Sequence, residues 1–205
     1  MTVTPVRVAV LVSGGGTNLQ ALLDGLNGAT NKAARVSRVI SNRSDAGALD
    51  RGRRAGVPTY ALSDHTNADE YLEAIGDAQL VVLAGYLKLV PSAVVSRFDW
   101  RIINIHPALL PEFGGPGMYG IKVHQAVLSS GKKESGASVH YVTEEYDRGD
   151  VIARARVPVL PGDTPGTLAA RVLTAEHRLL PHVVTVLSLM GLPNHAVRLE
   201  DLDAQ

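Results

Sequence analysis

The residues best suited to chemistry in this 205-residue chain stand in one run, Ile102-Ile103-Asn104-Ile105-His106-Pro107-Ala108-Leu109-Leu110-Pro111. Asn104 and His106 are two apart, so on a strand both side chains share one face while Ile103 and Ile105 take the other. Pro107 has no donor to extend a ladder, and its ring holds His106 in an extended backbone. An amide and an imidazole are thereby set side by side where a strand stops. Such a pair suits transfer of an acyl-level group. Asn104 can donate to an oxygen that becomes negative in a tetrahedral intermediate, and His106 can move a proton near neutral pH. The plainer alternative is that Asn104 caps a turn and His106 is a hydrogen-bonded strand-end histidine.

A second group is Ser13-Gly14-Gly15-Gly16-Thr17-Asn18, which follows the apolar run Val6 to Val12 and precedes Leu19, Leu22, Leu23 and Leu26 at helical spacing. A strand, a glycine turn and a helix start in that order bring free backbone amides to a ligand. It is neither of the common nucleotide fingerprints, lacking a third glycine at Leu19 and a Gly-Lys-Ser/Thr step. The reading is a small phosphate ester held by the amides of Gly16, Thr17 and Asn18. The alternative is a tight turn with Thr17 or Asn18 as a helix cap.

These groups need a scaffold, and the alternation of patterns supplies one. Strands are expected at Val6 to Val12, Arg35 to Ile40, Val57 to Leu62, Leu80 to Ala84 and the run ending at His106. Helices are expected after the glycine turn, at Ala46 to Ala55 and at Asn67 to Gly76. Arg51, Arg53 and Arg54 would lie on a solvated helix face. Repeated βα units argue for a doubly wound, mostly parallel sheet, whose ligands sit at the carboxyl ends of strands. After Pro111 comes a long glycine-rich loop through Gly120, then a helix from Lys122 to Ser129. Ala137 to Val142 and Val151 to Val159 change the pattern to an antiparallel hairpin. Thr164-Pro165 opens a long helix to about Met190 that Pro181 could kink or split. Gly191 to Gln205 reads as a polar tail. No composition break divides the chain, so one domain spanning 1–205 is expected.

Twenty basic and twenty acidic residues give a formal net charge of zero, so no global field attracts nucleic acid or an anionic membrane. The absence of cysteine excludes disulfides, thiolate zinc sites and thiol nucleophiles together. No apolar run reaches membrane-spanning length and no signal-peptide pattern opens the chain, so a cytoplasmic protein is expected.

Several stretches taken in order, SGGGTNLQALL, SNRSDAGAL, AGVPTY, VVLAGYLKLVP, INIHPALLP, SGASVHYVTEEYDRGDVI, VPVLPGDTP and AEHRLLP, resemble the folate-dependent formyltransferases over nearly the whole chain. The Asn-x-His-Pro element is shared across that family, and the SGxGTN loop resembles its ribonucleotide-using branch. The resemblance implies a Rossmann-like fold and transfer of the formyl group of 10-formyltetrahydrofolate to the amine of glycinamide ribonucleotide, a step of de novo purine biosynthesis. It makes Asn104, His106 and Asp147 a catalytic trio and assigns the amides of Gly16, Thr17 and Asn18 to the substrate phosphate. Glu176 would contact the ribose. Leu87, Lys88, Leu89 and Val90, with Asn104 and the loop Tyr141, Val142, Thr143, Glu144, Glu145 and Tyr146, would line the folate pocket, much of it through backbone. The N-terminal half would form the ribonucleotide side and the C-terminal half the folate side.

Asp147 would orient His106 and favour its protonated form, because an adjacent negative charge raises a histidine pKa. No metal is implied by the histidine spacing. Partners are the two small molecules, and the protein would be a monomer or homodimer. Ala68 stands where many family members carry an arginine, and the loop from Phe113 to Ile121 is longer than in much of the family. His124 and His140 read as structural or rim residues. Rival readings are a hydrolase of the same folate, a methionyl-tRNA formyltransferase, and a non-enzymatic folate- or nucleotide-binding module. The hydrolases usually carry an N-terminal regulatory domain and the tRNA enzymes a C-terminal domain, and neither pattern is evident here.

Overall fold

A computed structural model describes residues 4–28 and 30–202. Seven strands form one sheet in the order β3-β2-β1-β4-β5-β6-β7. The strands are β1 (Val6–Val12), β2 (Ala34–Ser41), β3 (Thr59–Ala61), β4 (Leu80–Leu83), β5 (Ile102–His106), β6 (Glu134–Tyr141) and β7 (Val151–Pro158). The first five pair in parallel, while β5–β6 and β6–β7 are antiparallel. The expected doubly wound sheet with a C-terminal hairpin is therefore the observed one.

Alternation explains the two cores. In β1, Val8, Val10 and Val12 pack into one cluster with Leu19 and Leu22 of α1 (Thr17–Leu26) and Leu179 and Val183 of α6 (Pro165–Leu189). Ala9 and Leu11 face the other way, against Tyr71 and Ile75 of α3 (Ala68–Ile75). Val8 to Val12 are wholly buried. Each of the larger side chains contributes about 1.5–3 kcal/mol by leaving water, so this strand anchors both layers. The remaining helices are α2 (Gly47–Arg54), α4 (Ser92–Arg97) and α5 (Ile121–Ser129).

Four elements depart from the sequence reading. Helix α4 was not anticipated, because six residues with two valines leave too short a period to see. Strand β6 begins at Glu134, earlier than Ala137, because β7 pairs with it as far as Pro158. Helix α6 neither splits nor ends at Pro181. The proline ring faces α1 at Gly25, where an added Cβ would stand 3.2 Å from it, so a glycine supplies the space. The tail does not stay in solvent. Leu199 and Leu202 donate their amides to Ile152 and Arg154 of β7 at 2.8 and 2.7 Å, covering an otherwise open sheet edge. Leu192, Val197, Leu199 and Leu202 pack against the core, and their spacing among polar residues hides this in the sequence.

Candidate active site

The glycine loop follows β1 and leads into α1. Gly16 is the N-cap of α1 in a left-handed conformation, φ 74°, and no side chain caps the helix. The cap role considered for Thr17 or Asn18 is therefore not taken. An added Cβ on Gly16 would meet Ala48 Cβ at 2.6 Å, whereas Gly14 and Gly15 face open space. The Gly14 carbonyl accepts from the Ala48 amide at 3.0 Å and the Gly15 carbonyl from Arg51 Nε at 2.7 Å. Peptides are planar and trans, so the Gly15 and Gly16 N–H bonds point away from those contacts. The first amides of α1 are also left without a side-chain cap, a setting that suits an anion. Arg51 corrects the expectation of a solvated arginine face: it is half-buried and docked on the loop, while Arg53 and Arg54 are exposed.

Asn18 and Glu176 are brought together from opposite ends of the chain. Asn18 Nδ2 donates to Glu176 Oε2 at 2.6 Å, and both residues are buried. Burial pushes the Glu176 carboxyl up to about 7, with the Asn18 hydrogen bond pulling the other way. Asn18 Oδ1 is buried with no partner among the described residues.

The second centre forms where β5 ends beside β6. Asn104 pairs with His140 across the antiparallel ladder, so both side chains share the face that carries His106. Asp147 reaches this face from the β6–β7 loop with φ 56°, a backbone region that aspartate tolerates better than most residues. Its Oδ2 accepts the Gly115 amide at 2.9 Å and lies 3.5 Å from His106 Nδ1. Its Oδ1 lies 3.5 Å from both Asn104 Nδ2 and His140 Nε2. Gly114 has no side chain because a Cβ there would stand 2.5 Å from Leu110 and 3.0 Å from Asp147.

The short bonds decide the tautomers. His140 Nδ1 donates to the Tyr141 carbonyl at 2.7 Å, which leaves Nε2 to accept from Asn104 Nδ2 at 3.0 Å. His106 Nε2 donates to the Phe113 carbonyl at 2.8 Å, so a proton on Nδ1 would face Asp147. Only the imidazolium satisfies both ring nitrogens. Burial nevertheless lowers the His106 pKa, against the raising effects of Asp147 and the Phe113 carbonyl; His140 adds a small push downward. The pull of Asp147 has the expected sign, but burial outweighs it. Burial pulls Asp147 up, but the charge of His106 and the Gly115 amide hold its carboxyl below the ordinary range, while the His140 Nε2 that accepts from Asn104 has no proton to offer it.

Both centres open into one cavity of about 560 Å³, with Asn18 and Glu176 in its wall along with Asn104, His106 and Asp147. Leu87, Lys88, Leu89, Val90, Val142, Thr143, Glu145 and Tyr146 also line it. Gly16 and Thr17 adjoin the wall through Asn18 without lining it. Tyr141 does not present its ring: alternation along β6 turns it into the core against Trp100, 5.1 Å between centroids. Glu144 points outward, and Ala68 lies at the start of α3 against the core, away from the cavity. The sequence reading missed His140 as a member of the cluster; the glycine-rich loop from Gly115 to Ile121 and His124, read as a rim residue, do line the cavity. Burial first, then the charge of His106, lowers the His124 pKa. Only the strand register reveals His140. No group of three or more His, Asp or Glu among the described residues could hold a metal ion.

A formyl transferase family profile matches residues 6–184. The chain is 44% identical over 188 residues to a chloroplastic phosphoribosylglycinamide formyltransferase of Arabidopsis thaliana, covering 87% of this chain and 64% of that protein, so it spans less than two thirds of the plant relative. It is 41% identical to the phosphoribosylglycinamide formyltransferase of Escherichia coli, covering 87% of this chain and 85% of that one. Among solved structures, a glycinamide ribonucleotide transformylase of Symbiobacterium toebii superposes with a TM-score of 0.84 at 41% identity, covering 97% and 95% of the two chains.

Proposed function

The chain belongs to the formyl transferase family, and from that premise we propose that it transfers the formyl group of 10-formyltetrahydrofolate to the amine of glycinamide ribonucleotide. The observation that carries this reading is one cavity walled by an Asn18–Glu176 pair next to an amide-lined turn and by a histidine–carboxylate cluster. The uncapped amides of the turn suit a phosphate. The unpartnered Asn18 Oδ1 and the Glu176 carboxylate suit ribose hydroxyls, which would supply the missing donors. Leu87 and Leu89, about half exposed, and Tyr146 give an apolar rim that suits a flat pterin and its aryl tail. Each end draws on both halves of a single domain over residues 1–205.

10-Formyltetrahydrofolate supplies the formyl carbon. As the glycinamide nitrogen bonds to that carbon, the formyl oxygen gains negative charge, and the C–N10 bond then breaks. The proton lost by the amine must reach N10. The long contacts in the cluster, 3.5 Å from Asp147 to His106 and to Asn104, are those that a reacting oxygen can displace. The short ones, to the carbonyls of Phe113 and Tyr141 and between Asn104 and His140, hold the ring planes and amide in place. Asn104 and His106 would donate to the developing oxyanion, and Asp147 would favour the imidazolium. His140 positions Asn104 and does not touch the reacting atoms. No metal enters this mechanism. A cytoplasmic setting and a monomer or homodimer complete the proposal.

Incubation with 10-formyltetrahydrofolate tests it: formyl loss is expected only when glycinamide ribonucleotide is present. Equal loss to water would make the chain a hydrolase, and no turnover with either would leave a binding module.

A further inference from the structure

A second cavity of about 650 Å³ lies against the chain segment that runs from Leu109 to Phe113. Four cations line it, Lys132, Lys133, Arg154 and Arg156, against two carboxylates, in a protein of zero net charge. Both carboxylates are engaged: Glu112 binds Lys132 at 3.0 Å and Glu134 binds Arg156 at 3.1 Å. Lys133 and Arg154 have no carboxylate within salt-bridge distance among the described residues. Arg154 is fixed by donating Nε and Nη2 to the Leu110 carbonyl at 3.1 and 2.7 Å, which leaves Nη1 without a hydrogen-bond partner among the described residues. Ser135 belongs to the same lining, but its register partner is Val157 and its side chain turns to the core face, away from Arg154 and Arg156. A fixed guanidinium and a free ammonium are groups that recognise an oxyanion. Leu110, Phe113 and Val127 add an apolar wall.

We propose that this cavity is a second ligand site, for a small phosphorylated anion, with Arg154 and Lys133 as its charged donors. The site is separate from the reaction cavity and does not depend on the formyl-transfer reading. Its occupant would lie against the segment that fixes His106, since the Phe113 carbonyl accepts that imidazole's Nε2 proton.

Amide NMR of isotope-labelled full-length protein, titrated with pyrophosphate, separates this site from the glycine turn residue by residue. Saturable shifts are expected at Phe113, Ser135 and Arg154, in addition to any at Gly15 to Asn18. Lys133→Glu, an exposed change that spares the fold, should weaken the first set by at least about tenfold while leaving the second unchanged. Arg154→Gln should do the same where its spectrum stays native. Shifts confined to Gly15 to Asn18 would overturn the proposal. So would unchanged affinity at Ser135 in Lys133→Glu, or equal shifts from sodium chloride at matched ionic strength.

Discussion

The two centres that meet at the 560 Å³ cavity are built in different ways. The glycine turn offers backbone: peptide amides turned away from Ala48 and Arg51, to which the carbonyls of Gly14 and Gly15 are tied. The β5 end offers side chains, with Asn104, His106, His140 and Asp147 meeting at distances of 3.0 to 3.5 Å. A set of backbone donors cannot titrate, so it holds charge at any pH. A buried carboxylate between two imidazoles can titrate, which suits it to the proton transfer proposed above. The first centre should therefore be sensitive to backbone changes, and the second to changes of charge.

The largest effect should come from the second centre. His106→Ala is expected to lower kcat by about 10³-fold, the scale of a lost acid–base or oxyanion group. Adding Asp147→Asn to it should cost little more, because residues acting as one unit are non-additive. Steady-state rates of the single and double variants check this, and fully multiplicative losses would separate the two residues.

Asp147→Asn alone keeps size and hydrogen bonding but removes the charge that raises His106. The His106 limb of the pH–rate profile should move to lower pH, each unit corresponding to about 1.4 kcal/mol. An unmoved limb would mean that Asp147 does not act through this histidine.

At the first centre, the glycines divide sharply. Gly16→Ala puts a Cβ on a left-handed backbone and 2.6 Å from Ala48 Cβ, so chemical denaturation should show a loss of about 2–4 kcal/mol. Gly15→Ala meets open space and should leave stability within about 0.5 kcal/mol while weakening ribonucleotide binding. If Gly15→Ala binds the ribonucleotide normally, the turn is only a turn.

Glu176 gives an effect that is read as a slope. Its folded pKa, about 7, lies above the ordinary 4.5. Below 4.5 the carboxyl is protonated in both states and its full contribution is present. As pH rises toward 7 the unfolded chain releases the proton first, so stability falls by up to about 1.4 kcal/mol per unit and then levels off. Glu176→Gln should remove that slope, seen as unfolding free energies that change less between pH 5 and 7. An identical slope in the variant would place the titration elsewhere.

Much of this protein was legible in its residues. Local rules determined that Val6–Val12 is a strand covered on both faces, that a glycine turn opens α1, and that Asn104 and His106 share a face, because alternation, proline chemistry and helical spacing act within a few residues. The resemblance added Asp147 and Glu176, which lie far away in the chain. Tertiary structure alone decided the rest. Only the β5–β6 register sets His140 opposite Asn104, only the packing of α2 carries Arg51 to the Gly15 carbonyl, and burial, more than any other cause, lowers His106 against the pull of Asp147. Register, docking and dielectric depend on contacts between segments distant in sequence, and no local pattern records them.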